Sequence, residues 1–250
     1  MLVLEQLLAG RDFARNDRAA AQMINFVYLI ADDVTRKAML VDPAWDVEGL
    51  VERVEREGYT LDGALVTHYH PDHVGGEIFG LHIEGLAQLV ALRPNARIHA
   101  HAAEAAGIAQ VTGVPEADLV KHQGGDVLNV GSVKIEFVHT PGHTPGSECF
   151  LVSDATLAAG AAGSPQKPAL VSGDTLFVGA CGRVDLPGSD PDEMYRTLTQ
   201  RLAKLPDSAV LYPGHDYGTT PTSTLAGERA RNPYLRIPTL EEWRRIMAGA

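Results

Sequence analysis

Seven residues of this chain carry metal-ligand side chains and stand where an apolar run gives way to a turn. Residues 65–76 read LVTHYHPDHVGG and place His68, His70, Asp72 and His73 within six positions. His143 lies in HTPGHTPGS, Asp174 in SGDTLF and His215 in YPGHDYG. Glycine accompanies each motif and lets the backbone turn sharply where a side chain must be aimed inward. His68 and His70 are two apart, so on an extended backbone they face the same way and can hold one ion together. Pro71 then turns the chain, so Asp72 and His73 can point to an adjacent ion. His143 can complete the first position and His215 the second. Asp174 has two oxygens to share and is the natural bridge. Nitrogen and oxygen ligands without thiolate suit zinc or iron, with manganese a third option. Two such ions would deprotonate a bridged water near neutral pH and make it a nucleophile.

Taken singly, His143 or His215 is more often a structural or surface histidine, and Asp174 a turn cap. The set in this order carries the reading. His82, His99, His101, His122 and His139 lack such a setting and are read as structural.

The elements that must position these residues follow from periodicity. FVYLI and KAMLVD flank a polar turn and read as a β-hairpin. In DVEGLVERVEREG the apolar positions Val47, Leu50, Val51 and Val54 recur at helical spacing, and Gly58 stands at the stop. GALVTH is a short strand leading into the first motif. ARIHAH, the two halves of GDVLNVGSVKIEFVHT, SECFLVSD, ALVSGDTLF and AVLYPGH read as further strands. GLHIEGLAQLVAL reads as partly helical. DPDEMYRTLTQRLAKLP reads as a helix capped by Asp190 or Asp192 and ended by Pro206. The Gly/Ala-rich ATLAAGAAGSPQKP reads as an exposed loop, and the residues after His215 as one or two short helices. Strands at both ends with helices between them point to a layered α/β fold, with no linker or repeat to divide it.

Composition bounds the function. The chain has 250 residues, 45% hydrophobic and 21% charged, with a formal net charge of −11. That balance supports a buried core. An acidic chain argues against nucleic acid or an anionic membrane as partner, though not against an anionic small molecule. No apolar stretch approaches the roughly 18 residues needed to span a bilayer. Two cysteines, Cys149 and Cys181, make no disulfide framework, and MLVLEQLLAGRDFARND does not resemble a signal peptide. The expectation is a cytoplasmic protein acting on a small molecule, a homodimer being one arrangement the sequence allows.

On THYHPDH, HTPGHTPGS, SGDTLF and YPGHDYG, in that order, the chain resembles the metallo-β-lactamase superfamily. The resemblance spans about residues 20–220. It implies an αββα four-layer sandwich: two mixed sheets packed face to face, helices outside, and a metal site at one sheet edge. It implies one domain over 1–250, with a short helical tail from about residue 220. It also implies His68, His70 and His143 on one metal, Asp72, His73 and His215 on the other, and Asp174 between them.

Within that superfamily, GDTLFVGACGRVDLPGSDPDEMYRTL, YPGHDYG and NPYL are most similar to glyoxalase II-like thioesterases and to persulfide dioxygenases. The first resemblance implies hydrolysis of a thioester such as S-lactoylglutathione by a metal-bound hydroxide. Asp72 would be a catalytic group, and Arg183, Asp185 and Tyr217 would be the residues at the binding place of an anionic thiol conjugate. Asp185 stands where glyoxalase II has tyrosine, and the tail is shorter than that enzyme's C-terminal helical domain. The CGR-x-D pattern is shared with the dioxygenases, so Asp185 pulls toward the second resemblance. That alternative implies a single iron acting on glutathione persulfide. A metal-binding module without catalysis is a third reading, and the complete ligand set argues against it.

Overall fold

The computed structural model describes residues 1–78, 80–155 and 167–249. Two six-stranded sheets stack face to face between outer helices. The first sheet runs in spatial order Leu2–Leu8, Phe26–Asp32, Lys37–Val41, Thr60–Leu65, Arg97–His101 and Leu119–His122. Its first three strands pair antiparallel, and from Lys37–Val41 onward the pairing is parallel. The second runs Ser223–Thr224, Val210–Pro213, Ala169–Gly173, Glu148–Asp154, Val133–His139 and Val127–Val130. It is antiparallel except where Ala169–Gly173 meets Val210–Pro213. Both sheets are mixed, as the resemblance implied.

Side-chain alternation explains the layers. In Phe26–Asp32, Phe26, Tyr28 and Ile30 face the second sheet and meet Ile135, Phe137, Phe150 and Val171. Val27, Leu29 and Ala31 face outward and meet Leu50 and Val54 of the helix Val47–Arg56. This strand is buried on both faces, so it reads as a continuous apolar run instead of an alternating one. Asp46 caps the helix by accepting from Gly49 N–H, and Val47, Leu50, Val51 and Val54 are buried as the spacing required. Each such side chain contributes roughly 1.5–3 kcal/mol of burial. The opposite outer layer packs Met194, Leu198 and Trp243 on Leu170 and Leu211.

The expected helix over 190–206 starts at Pro191 with Asp190 accepting from Glu193 N–H. It is α-helical only to Arg196, then widens to a π turn over Thr197–Arg201 and tightens to a 3-10 turn over Leu202–Lys204. Within the wide turn, the buried Thr197 hydroxyl donates to Pro141 O at 2.7 Å. The tail is not an appendage to the packing. Its helices Leu225–Arg231 and Leu240–Met247 join the outer layer, and the Trp243 indole donates to Pro191 O at 2.7 Å. The strand Leu2–Leu8 and the helices Arg18–Met23 and Ala105–Thr112 were not evident from periodicity. Most of the expected Gly/Ala loop falls in 156–166, outside the described residues. Among the described residues no helix is long and apolar enough to cross a membrane.

Candidate metal centre

The ligand-bearing segments converge at one edge of the two sheets. Thr60–Leu65 ends just before His68, and Pro71 opens the short helix Pro71–Val74 that carries Asp72 and His73. Ala169–Gly173 delivers Asp174, and its parallel neighbour Val210–Pro213 delivers His215. Parallel pairing places both at the same end. Close approach explains two glycines at the site, one beside His215 and one in the Arg183 loop. A Cβ at Gly214 would lie 2.5 Å from Asp174 Oδ1, and one at Gly182 would lie 1.8 Å from the Asp174 carbonyl oxygen.

All seven expected ligands come together, in two groups. His70 Nδ1 lies 3.1 Å from His68 Nε2 and 3.0 Å from His143 Nε2. His73 Nε2 and His215 Nε2 are 3.2 Å apart, and each is 3.4 Å from Asp72 Oδ2. Asp174 sits between the groups. Its Oδ2 is 3.6 Å from His143 Nε2 and 3.5 Å from His215 Nε2, and its Oδ1 is 3.4 Å from His73 Nε2.

The outer nitrogens show how the inner ones are aimed. His143 Nδ1 donates to Arg183 O at 2.8 Å, and His215 Nδ1 donates to Met23 O at 2.8 Å. His73 Nδ1 donates to Asp42 Oδ2 at 3.0 Å. The Thr67 hydroxyl donates to Asp42 Oδ2 at 2.6 Å, so at 3.0 Å it accepts from His68 Nδ1. Each of these protons is spent outward, which leaves a bare lone pair on Nε2 facing its neighbours. With both Nδ1 protons spent outward, His73 Nε2 and His215 Nε2 at 3.2 Å repel unless a cation, a metal ion or a shared proton, lies between them. Asp174 Oδ1 is buried without a hydrogen-bond partner, as a ligand oxygen would be. The residues therefore fit divalent ions at both positions.

The two positions differ electrically. Burial and the neighbouring His73 and His70 hold His68 well below the imidazole range. Burial and His143 push His70 down to about 4. At the other position burial acts the same way, but Asp72 and Asp174 outweigh it and raise His73 well above that range. Asp174 and Asp72 likewise lift His215 to about 9 against burial. Although burial opposes it, the histidines keep both Asp72 and Asp174 well below the usual carboxylate range.

The three expected substrate contacts lie at the rim and not in the centre. Arg183 and Asp185 form a bidentate pair with both bonds at 2.7 Å, and their side chains are 62% and 65% exposed. Arg183 reaches the centre through its backbone carbonyl only. Tyr217 stacks on the His215 ring, centroids 4.6 Å apart and planes 6° apart. Tyr69 packs, and its hydroxyl donates to Pro187 O at 3.1 Å, tying the first motif to the Arg183 loop. Four of the five histidines read as structural form stacked pairs elsewhere, His99 on His122 and His101 on His139, while His82 is exposed and bonded to Glu77.

Five supporting residues escaped the sequence reading. Asp42 and Thr67 orient ring nitrogens, as above. Glu104, fully buried, accepts from Tyr69 N, the Thr144 hydroxyl and Gly146 N at 2.6–2.9 Å, bracing the first two motifs together. Asn25 donates to Asp72 Oδ2 at 3.0 Å, and Trp45 donates to Asn25 Oδ1 at 3.2 Å. Asp42 had a usable signal, since it follows the apolar run KAMLV just as Asp174 follows its own.

Known proteins bear on this geometry. Residues 22–215 match the model of the metallo-beta-lactamase superfamily. A hydroxyacylglutathione hydrolase of Polaromonas sp. is 35% identical over 194 residues, covering 77% of this chain and 62% of that protein. The chain thus spans less than two thirds of that relative. The human persulfide dioxygenase ETHE1 is 30% identical over 225 residues, covering 90% of this chain and 76% of that one. The crystal structure of ETHE1 from Myxococcus xanthus superposes with a TM-score of 0.74 at 26% identity, covering 98% and 90% of the two chains. With its paired ligand groups set at the edge of an αββα sandwich, the chain belongs to the metallo-beta-lactamase superfamily.

Proposed function

We propose that this chain is a metal-dependent hydrolase that cleaves a thioester of the S-lactoylglutathione type. The observation that carries the reading is the pairing of a three-histidine group with an Asp72–His73–His215 group, both reached by Asp174. When bound, two divalent ions (zinc or iron, with manganese a third option) supply the Lewis acidity that acidifies water and takes up charge on the acyl oxygen. The chain's own residues set the stage. Outward hydrogen bonds from His68, His73, His143 and His215 fix each ring, so little reorganisation remains for the reaction. Asp72 stays ionised, which suits it to serve as a ligand and to orient the attacking water by accepting a hydrogen bond from it.

At the rim, Arg183 offers a cation to an anionic tail, and Tyr217 an aromatic face. A cavity of about 290 Å³ lined by Cys181, Arg183, Val184, Tyr234 and Met247 gives that tail room beneath the Arg183 loop. The substrate is a small anionic thiol conjugate met in the cytoplasm, not nucleic acid or a membrane. The Polaromonas relative's name supports this reading.

A second reading, oxidation of glutathione persulfide at a single iron, is favoured by the fuller coverage of the human persulfide dioxygenase and by Asp185. Metal analysis of the purified protein, with S-lactoylglutathione turnover measured with and without Asp174→Ala, separates the two. Hydrolysis that Asp174→Ala abolishes is the expected result. One iron per chain, oxygen uptake on glutathione persulfide and no thioester turnover would overturn it.

A further inference from the structure

The second metal position has a feature that the first lacks. The Trp45 indole N–H can only donate, and its acceptor is Asn25 Oδ1 at 3.2 Å. That bond fixes the orientation of the Asn25 amide, which leaves Nδ2 facing the ligands. Nδ2 lies 3.0 Å from Asp72 Oδ2, 3.4 Å from His73 Nε2 and 3.5 Å from His215 Nε2. Those three atoms are themselves 3.2–3.4 Å apart. The four atoms therefore form a nearly regular tetrahedron. A tetrahedral ion with bonds of about 2.0–2.1 Å has its ligand atoms roughly 3.3–3.4 Å apart. Three corners carry lone pairs, whereas the fourth is an NH2 group with none to give.

We infer that Asn25, locked by Trp45, holds the second metal position at a lower cation affinity than the three-histidine position. An ion at the centre of the tetrahedron would meet N–H directly. An ion on the far side of the Asp72–His73–His215 triangle would still face the positive end of the amide dipole. Turning the amide over would offer its oxygen, but would set the NH2 against the indole N–H, two donors buried face to face. Asn25 is 2% exposed and Trp45 6%, so water is poorly placed to relieve that clash. The lock is held at a backbone cost: Trp45 has φ +80°, a conformation that bulky side chains rarely adopt. Among the described residues no side-chain amide donates to His68, His70 or His143.

This inference rests on the metal-centre reading, and the three-histidine position is its internal control. Metal-free protein is titrated with zinc and, separately, with cobalt, against a chromophoric chelator, reading stoichiometry and two dissociation constants. The wild-type protein is expected to bind its second ion at least about tenfold more weakly than its first. Asn25→Asp keeps the shape and replaces the donor by an acceptor, so it should tighten the second constant about tenfold and leave the first unchanged. Trp45→Phe releases the amide to turn its oxygen inward and should shift the second constant the same way. Thermal melts of the zinc-loaded variants report folding. Equal constants in wild type, or a second constant that neither variant moves, overturn the inference. Failure to bind at both positions overturns the metal-centre reading and this inference with it.

Discussion

His143 Nδ1 donates to the backbone carbonyl oxygen of Arg183 across 2.8 Å. The loop CGRVDLPG therefore serves the metal centre through its main chain, while the Arg183 side chain turns outward to Asp185. The two roles separate by mutation.

Arg183→Ala removes the cation and keeps the carbonyl. The metal content of the variant should equal that of wild type. With a thioester carrying an anionic tail, KM should rise about tenfold, near 1.4 kcal/mol, with kcat little changed. Steady-state kinetics beside metal analysis check this. An unchanged KM would assign Arg183 to its surface pair with Asp185, which as an exposed ion pair is worth little.

Asp42 gathers Thr67 N–H at 2.8 Å, the Thr67 hydroxyl at 2.6 Å and His73 Nδ1–H at 3.0 Å. It thereby aims a ring at each metal position, His73 directly and His68 through Thr67. Asp42→Asn keeps the volume and turns one acceptor into a donor. Metal affinity should fall about 10–100-fold, as for other outer partners of histidine ligands. Competition with a chelator measures it, and an unchanged affinity would show that packing alone orients the rings.

The gathering of the seven ligand-type residues was legible because each stands close behind an apolar run, and local sequence records that. The supporting residues are not recorded locally. Asn25 precedes a strand and Trp45 sits in the turn VDPAWD; their bond to each other and to Asp72 exists only after the first sheet has formed. Glu104 reads as an ordinary polar residue ahead of a helix, yet it is fully buried. The strand Leu2–Leu8 hid for a related reason. Its Glu5 breaks the apolar run and is matched by Arg53 of a helix far along the chain. Residue types alone make Arg183 and Asp185 look like substrate contacts, whereas their pairing depends on a loop conformation that residue types do not fix.

Glu104→Ala should destabilise the protein by about 3 kcal/mol, because it leaves Tyr69 N–H and Gly146 N–H buried without an acceptor and removes one from Thr144. For a chain of this size that is a fall in Tm of roughly 6–12 °C. Glu104→Gln keeps one acceptor oxygen and should lose about 1 kcal/mol. Calorimetry of metal-free protein checks both, and a variant within a degree of wild type would show that the brace is dispensable.

The stacked pair His99 and His122 gives a pH signature away from the metal centre. Burial, with His122 and Arg97 adding to it, pushes His99 down to about 4. In the unfolded chain the same ring takes up its proton near 6.5. Between about pH 4 and 6.5 the unfolded state binds more protons, so this group makes stability rise with pH across that window. Its contribution is fully present above about 6.5 and is lost below about 4. Glutamine cannot titrate, so His99→Gln should flatten the dependence by as much as one proton over that interval. Urea midpoints of metal-free wild type and variant, taken from pH 7.5 down to pH 4.5, measure the two slopes. Equal slopes would mean that His99 keeps an ordinary affinity for its proton despite its burial.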